Sequence, residues 1–376
     1  MSKKLISIII PIYNCEQYIS NTFKSLLNQT IGFENLEVIF VDDCSTDDSY
    51  EIISQFAKEY GNVMAMQLKR NSGYAGRPRN VGIDKASAEY LMFLDSDDWF
   101  NEDACEVLYS EIISNKRIDM VAGGYSNIYT NSKDDKFIRR KKRNNKKKYK
   151  NAKNDHVLLT APPSISSKIF RKKFLIDNDI TFPEGIPAQD LVFVCKAICC
   201  SDLVLSLNDY LVYNRTIRND KENLSVSQNI KPSYISGCMK AYGLLIDLCK
   251  EFNIKKDCAY DLLFVHYQYL AEQLGKSSIT NTDYEKLLNS EEYSYLKNND
   301  YYKSEKNFDL FFKFFELNAD DALNFAKTMR RFYDFKNENK NLKRENKRLK
   351  KNQENILSSN SWKITKPLRK IKKIRN

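Results

Sequence analysis

The residues best placed to do chemistry are three aspartates in the run LMFLDSDDW: Asp95, Asp97 and Asp98. Carboxylate oxygens suit hard cations such as Mg²⁺ or Mn²⁺. A cation held there can neutralise the charge that develops on a diphosphate as a sugar leaves a nucleotide donor. Alternation along a strand would put Asp95 and Asp97 on one side, Asp95 toward a ribose and Asp97 toward the metal. Solvated turns often contain D-x-D by chance, but here other strand ends aim polar residues at the same rim. Asp43 closes one of them, where its carboxylate can accept the imide N–H of uracil; Asp42 and Asp43 could instead cap the following helix. Asn71, Gly73 and Arg79 lie on a loop whose glycines allow a ligand to approach closely. Arg79 offers a planar donor fork, with Arg77 a rival for the same role. Asp190, in FPEGIPAQDLVFV, could take the proton of an acceptor hydroxyl. Helix N-capping explains its position equally well.

The elements that must hold these residues alternate in type. The pattern predicts strands over Leu5–Ile10, Leu36–Val41, Val63–Leu68 and Tyr90–Leu94, and another from Asp119. Helical spacing fits Glu16–Gln29, a short segment ending at Lys85, and Glu102–Asn115. Ser45 and Asp48 have the spacing of a capping box for the helix after the second strand. Strands alternating with helices predict a mainly parallel sheet flanked by helices, an α/β fold. Ligands then bind outside the carboxyl ends of the strands, where Asn14, Asp42, Asp43, the Asn71–Arg79 loop and Asp95–Asp98 all fall. Thr160–Arg171 and Phe182–Cys200 continue this fold, and Leu203–Arg215 reads as two strand-like pieces. From Lys231 to Arg331 the pattern is helical and rich in aromatics. Phe335, Leu342, Leu349 and Ile356 recur every seven residues, with Phe332, Asn339, Asn346 and Gln353 at the companion position. That is a coiled-coil seam and predicts a homo-oligomer.

Composition narrows the class further. A 376-residue chain with 42% hydrophobic and 12% aromatic residues can bury a substantial core. The net charge of +11 is local: residues 136–153 hold eleven basic side chains, and the last nineteen residues hold seven, neither with an acid. Such segments suit an anionic polymer or membrane surface, and solvated lysines in loops are the plain alternative. Nine cysteines show no metal-binding spacing, which predicts reduced, mostly buried thiols in a cytoplasmic protein. The apolar stretch in MSKKLISIIIPIYN is too short to span a bilayer and reads as a first strand.

Together, IIIPIYNCEQYI with SLLNQT, VDDCSTDDS, N-x-G through RPRNVGIDKA, EYLMFLDSDDWF, SSKIFRK, FPEGIPAQDLVF and LVYNRTIRNDKENLSVS resemble the inverting family-2 glycosyltransferases with the GT-A fold. The resemblance spans residues 5–227. It implies a GT-A catalytic domain over residues 1–228 with a basic insertion at 133–153. A helical domain (229–331), the coiled coil (332–357) and a basic amphipathic tail (358–376) would follow. It implies that Pro11, Tyr13, Asp43, Asn71 and Arg79 contact the uridine, with Asp95 and Ser96 near ribose and diphosphate. Asp97 would ligate Mn²⁺ or Mg²⁺, Asp190 would be the base, and Arg215 and Ser225 would close over the diphosphate. Gln189 stands where the family usually has Glu, and Cys44 replaces a common Gly. The tail resembles one found on bacterial surface-polysaccharide transferases, where Trp362, Ile364 and Leu368 among lysines would suit an anionic membrane.

The expected function is therefore metal-dependent, inverting transfer from UDP-GlcNAc or another UDP-hexose. The acceptor would be a hydroxyl of an anionic or lipid-linked surface glycan: teichoic acid, capsule or lipopolysaccharide. The enzyme would work in the cytoplasm or at the inner face of the membrane, with no nucleic acid as partner. A nucleotidyltransferase on a similar sheet and a non-catalytic anionic-polymer-binding assembly protein are the competing readings.

Overall fold

The computed structural model describes residues 3–129, 146–150, 152–218, 230–276 and 279–299, with 320–322, 324, 327 and 328. Ser225, the heptads over 332–357 and the tail from 358 onward lie outside the described residues, as does most of the basic insertion.

The β-branched run at the N-terminus forms β1 (Ile6–Ile12). Its side chains alternate: Ile6, Ile8, Ile10 and Ile12 enter one core, and Ile9 enters another on the opposite face. Eight more strands follow: β2 (Leu36–Asp42), β3 (Val63–Gln67), β4 (Tyr90–Phe93), β5 (Trp99–Phe100), β6 (Ile118–Tyr129), β7 (Lys146–Lys150), β8 (Lys168–Arg171) and β9 (Leu203–Ile217). They form one sheet in the order β3-β2-β1-β4-β8-β6-β9-β5, with β7 also paired to β9. The first four strands are mutually parallel. β8 is wedged antiparallel between β4 and β6, while β6 and β9 run parallel. Pro11 lies beyond the last β1–β4 pair, Ile9 with Phe93, so its missing N–H breaks no pair on that side.

Eleven helices occur among the described residues. These are α1 (Glu16–Leu27), α2 (Ser49–Glu59), α3 (Gly76–Lys85), α4 (Ala104–Ile113), α5 (His156–Leu159), α6 (Lys172–Asp177) and α7 (Gln189–Cys200). They are followed by α8 (Pro232–Glu251), α9 (Lys256–Lys276), α10 (Asn281–Leu288) and α11 (Glu291–Lys297). Helices α1, α2 and α4 cover one face, inserting Phe23, Ile53 and Leu108 among others. The other face is covered by α3, α6 and α7, and its core continues without a break into α8 and α9. The helical region thus shares a hydrophobic core with the sheet. All nine cysteines are free thiols, six of them buried.

Three local expectations change. The segment expected as two strand pieces is one fifteen-residue strand, β9, whose pairing with β6 shifts register at Ala122–Tyr125. Those irregularities interrupt the sequence pattern without ending the ladder. Ser45 and Asp48 form no capping box: Asp48 is the N-cap of α2 but makes no side-chain cap bond. Ser45 instead bonds the Asp42 carboxylate through its hydroxyl and, at 3.0 Å, its backbone N–H. Asp190 does not cap α7; the N-cap is Ala188, held in the left-handed region at φ 54°.

Candidate active site

The carboxyl ends of the strands carry two adjoining sets of polar residues. The first lies beyond β1, β2 and β3. Asp43 is buried, and both of its oxygens accept the Ser72 N–H at 3.0 Å. The Ser72 hydroxyl adds a bond at 2.9 Å. Burial pushes the Asp43 carboxyl above its ordinary range, opposed by those bonds. Asn71 donates to the Asp43 carbonyl at 2.9 Å, drawing the β3–α3 loop against the end of β2. Asp42 accepts from Gln67 at 3.0 Å. Neither aspartate caps α2. Pro11 is buried, whereas Tyr13 is half exposed beside them. Cys44 has φ +64°, which accounts for the Gly usual at this position in the resembled family.

The second set lines a cleft of about 520 Å³ that contains Arg79, Asp95, Asp97, Asp98, Asp190 and Arg215. Arg79, on the buried side of α3, is 3% exposed. One guanidinium nitrogen donates to Asp190 Oδ1 at 2.5 Å and another to Asp95 Oδ1 at 2.6 Å. Two aspartates ninety-five positions apart in sequence are thereby bridged by one rigid fork. The fork stands over the Phe182 ring at 5.2 Å. Phe182 stacks on Phe193 at 3.9 Å, and Phe193 packs edge-on against Phe93 and Phe170. This aromatic block fixes the start of α7, and with it Asp190, against the end of β4. Gly76 closes the arrangement: a Cβ there would lie 2.4 Å from both the Gln189 side-chain oxygen and the Pro183 carbonyl.

The Asp95–Asp98 turn is held from two sides. The Thr22 hydroxyl on α1 donates to the Ser96 and Asp98 carbonyls, each at 2.8 Å. On β9, the Thr216 N–H donates to Asp98 Oδ1 at 2.8 Å, and the Thr216 hydroxyl bonds the Asp97 carbonyl. Arg218 reaches Asp97 Oδ2 at 2.6 and 3.0 Å and stacks over Tyr18 at 4.5 Å. Burial raises the Asp97 carboxyl, with Arg218 opposing; Asp98 is raised further by burial and by Asp97 and Asp95. Asp98, 2% exposed, is thus a support for the turn and for the β9 edge.

Such crowded, desolvated carboxylates favour a cation among them. Asp95 Oδ2 takes no hydrogen bond from the described residues, and the oxygen donor set suits Mg²⁺ or Mn²⁺. The residues present therefore fit a divalent metal, with Asp97 and Asp95 the side chains able to hold it.

The cleft brings together Arg79, Asp95, Asp97, Asp190 and Arg215. Pro11, Tyr13, Asp43 and Asn71 lie outside its lining, in the first set, and Ser96 lies in the turn above it. Arg77, the rival donor, is partly exposed at 4.0 Å from Glu184 and lowers the Asp43 carboxyl by its charge. Sequence reasoning missed Thr22, Ser72, Thr216, Arg218 and Lys168, as well as Tyr234, His266 and Tyr269, which wall the cleft from α8 and α9. Thr216 and Arg218 left a signal in the same NRTIR run as Arg215, and Lys168 lies within SSKIFRK. Four buried polar atoms without a hydrogen-bond partner among the described residues belong to cleft residues: Arg79 Nε, Ser166 Oγ, Gln189 Oε1 and His266 Nε2. Burial pushes His266 down to about 4, so its ring is neutral near pH 7. Unpaired buried groups of this kind call for water or a ligand.

Beside this geometry of parallel strands, a rim of carboxylates and an arginine-bridged aspartate pair, residues 7–177 match Glycosyl transferase family 2. Asp190 and β9 lie beyond the matched stretch. Among particular relatives, the chain is 35% identical over 236 residues to "Poly(ribitol-phosphate) beta-glucosyltransferase" of Bacillus spizizenii, covering 62% of this chain and 36% of that one. It is 32% identical over 221 residues to "Poly(ribitol-phosphate) beta-N-acetylglucosaminyltransferase TarS" of Staphylococcus aureus, covering 56% and 35%. The chain thus spans about a third of the length of these relatives. The crystal structure of S. aureus TarS 1-349 in complex with UDP-GlcNAc superposes with a TM-score of 0.54 at 27% identity, covering 72% of each chain. Among the described residues, no helix is long and apolar enough to cross a membrane.

Proposed function

We propose that this protein is a metal-dependent, inverting glycosyltransferase that moves a sugar from a UDP-sugar to a hydroxyl of a poly(ribitol phosphate)-type surface polymer. The observation that carries the reading is the Arg79 fork, which joins the donor-side Asp95 to Asp190 within one cleft. The relatives' names favour a ribitol-phosphate polymer as acceptor and UDP-GlcNAc or another UDP-hexose as donor.

In this reading the uracil binds beyond β1–β3. The Asp43 carboxylate keeps acceptor capacity there beyond its Ser72 bonds, and Arg77 or Arg79, Pro11, Tyr13 and Asn71 frame the base. Asp95 and Ser96 take the ribose and diphosphate side, with Arg215 and Ser225 on the diphosphate. A Mn²⁺ or Mg²⁺ held through Asp97 supplies charge neutralisation for the diphosphate. Asp190 removes the proton of the acceptor hydroxyl. The acceptor oxygen forms the new bond to the anomeric carbon as the bond to UDP breaks, inverting that centre. Burial raises the Asp190 carboxyl and Arg79 opposes the rise, so the base is stronger than a solvated aspartate. Work at the cytoplasmic face of the membrane, and assembly through the heptads over 332–357, belong to the same proposal.

The test is a screen of UDP-sugars with purified protein, Mn²⁺ and poly(ribitol phosphate), following UDP release. Asp97→Asn and Asp190→Asn should each lose at least a hundredfold in turnover while remaining folded. Near-normal turnover in Asp190→Asn would remove the base assignment. Release of pyrophosphate instead of UDP would make the protein a nucleotidyltransferase.

A further inference from the structure

Lys168 is a buried cation that the reaction above leaves unused. It opens β8 and is 6% exposed. Side chains alternate along a strand, so Lys168 and Phe170 share the face turned toward α7. Phe170 packs edge-on against Phe193 at 5.5 Å, and Phe193 lies one helical turn after Asp190 on the same side of α7. Lys168 therefore sits beneath the helix end that carries Asp190. Its ammonium has three N–H donors. One meets the Ser164 carbonyl at 2.6 Å, and the Ser167 hydroxyl lies at 3.4 Å. The Ser164 hydroxyl in turn bonds the Tyr213 hydroxyl at 2.7 Å, two residues before Arg215. Ser164, Ser166 and Tyr213 all line the cleft.

A lysine is a costly way to hold a turn, because burying an ammonium is far less favourable than burying an amide or hydroxyl that could make the same bonds. The carboxylate that faces it gives the charge a purpose. Burial pushes the Lys168 amine down to about 8, and Asp190 opposes that fall. Arg79 from α3 bonds Asp190 directly, while Asp95 at the end of β4 and Lys168 on β8 act on its carboxyl by charge. Arg79 is shared with Asp95, so its charge is divided between two carboxylates, and Lys168 is the second cation that balances the pair.

We propose that Lys168 is a positioning residue for the transfer reaction, whose buried ammonium holds Asp190 ionised and in place from below while pinning the Ser164–Ser167 wall of the cleft. The proposal rests on the reading of Asp190 as base. It is tested by Lys168→Met, which keeps the length and apolar stem but removes the charge, with kcat/KM followed by UDP release across pH. The acid limb should move up by about one pH unit, with the donor KM changed less than about twofold, and Lys168→Arg should return the limb toward its wild-type position. A loss equal at every pH, with the limb unmoved, would make Lys168 purely structural and overturn the proposal.

Should Lys168→Met fail to fold, nitrogen-15 NMR of the lysine amines in the wild-type protein still decides. The amine that titrates near 8 should titrate at lower pH in Asp190→Asn. An unchanged midpoint would show that the two groups do not face each other. That measurement needs no turnover, so its failure is distinct from failure of the sugar-transfer reading.

Discussion

Replacing Arg79 with Met should destabilise the protein in a manner that depends on pH. The guanidinium is almost fully buried and balances Asp190 and Asp95, while methionine retains the apolar contact over Phe182. Removing one partner of a buried charge pair costs about 3–5 kcal/mol. The Asp95 and Asp190 side chains remain 41% and 29% exposed, so water screens part of the loss and places it near about 3 kcal/mol. The Asp190 carboxyl is already raised by burial, and Arg79 is the largest influence holding it down. Without Arg79 the folded-state pKa rises further. Between the unfolded and folded values the native state then binds more protons than the unfolded state, so stability falls as pH rises. The variant should therefore be close to wild type near pH 4 and reach its full deficit around neutral pH. Urea unfolding followed by circular dichroism at both pH values measures this directly. Equal deficits at the two pH values, or a neutral-pH deficit below about 1 kcal/mol, would refute the picture of two carboxylates sharing one buried cation.

Four other substitutions at the strand ends have expected outcomes. Gly76→Ala forces a methyl against the Gln189 side chain and the Pro183 carbonyl, and should cost about 1–3 kcal/mol in urea unfolding. Its kcat should fall as Asp190 is displaced. Cys44→Gly relieves a left-handed backbone at φ +64° and should stabilise by about 0.5–1 kcal/mol, after the extra unfolded-state entropy of glycine is subtracted; a lower Tm would contradict this. Asp97→Asn should abolish the extra thermal stabilisation that Mn²⁺ gives in the presence of UDP, while Asp98→Ala should lower Tm in the unliganded protein because it removes the acceptor that anchors Thr216.

Much of the sheet was legible because its strands are short β-branched runs that end in polar residues, and parallel order brings those ends to one pole. The pairing of β8 was not legible: four residues, KIFR, give no direction, and its antiparallel register against β4 and β6 is visible only in the structure. Asp95, Asp97 and Asp190 could be singled out by residue type and flanking pattern. Their mutual geometry could not, since Arg79 joins positions far apart in sequence and its reading as a nucleotide ligand did not foresee two carboxylate partners. Thr22 and Ser72 look like ordinary polar residues of a helix and a loop. Their work becomes visible only when the turn at Ser96–Asp98 and the Asp43 carboxylate are placed beside them.

The Arg79 fork has a bearing on how much the chain between its two partners can change. The separation of Asp95 and Asp190 is set across the cleft by one guanidinium and by the Phe170, Phe182 and Phe193 packing, not by the length of chain between them. Loops in that interval that make none of these contacts can lengthen or change composition without altering the distance between the two carboxylates. Sequence can then diversify in those loops while the two carboxylates keep their separation, like a caliper locked before the handle is replaced.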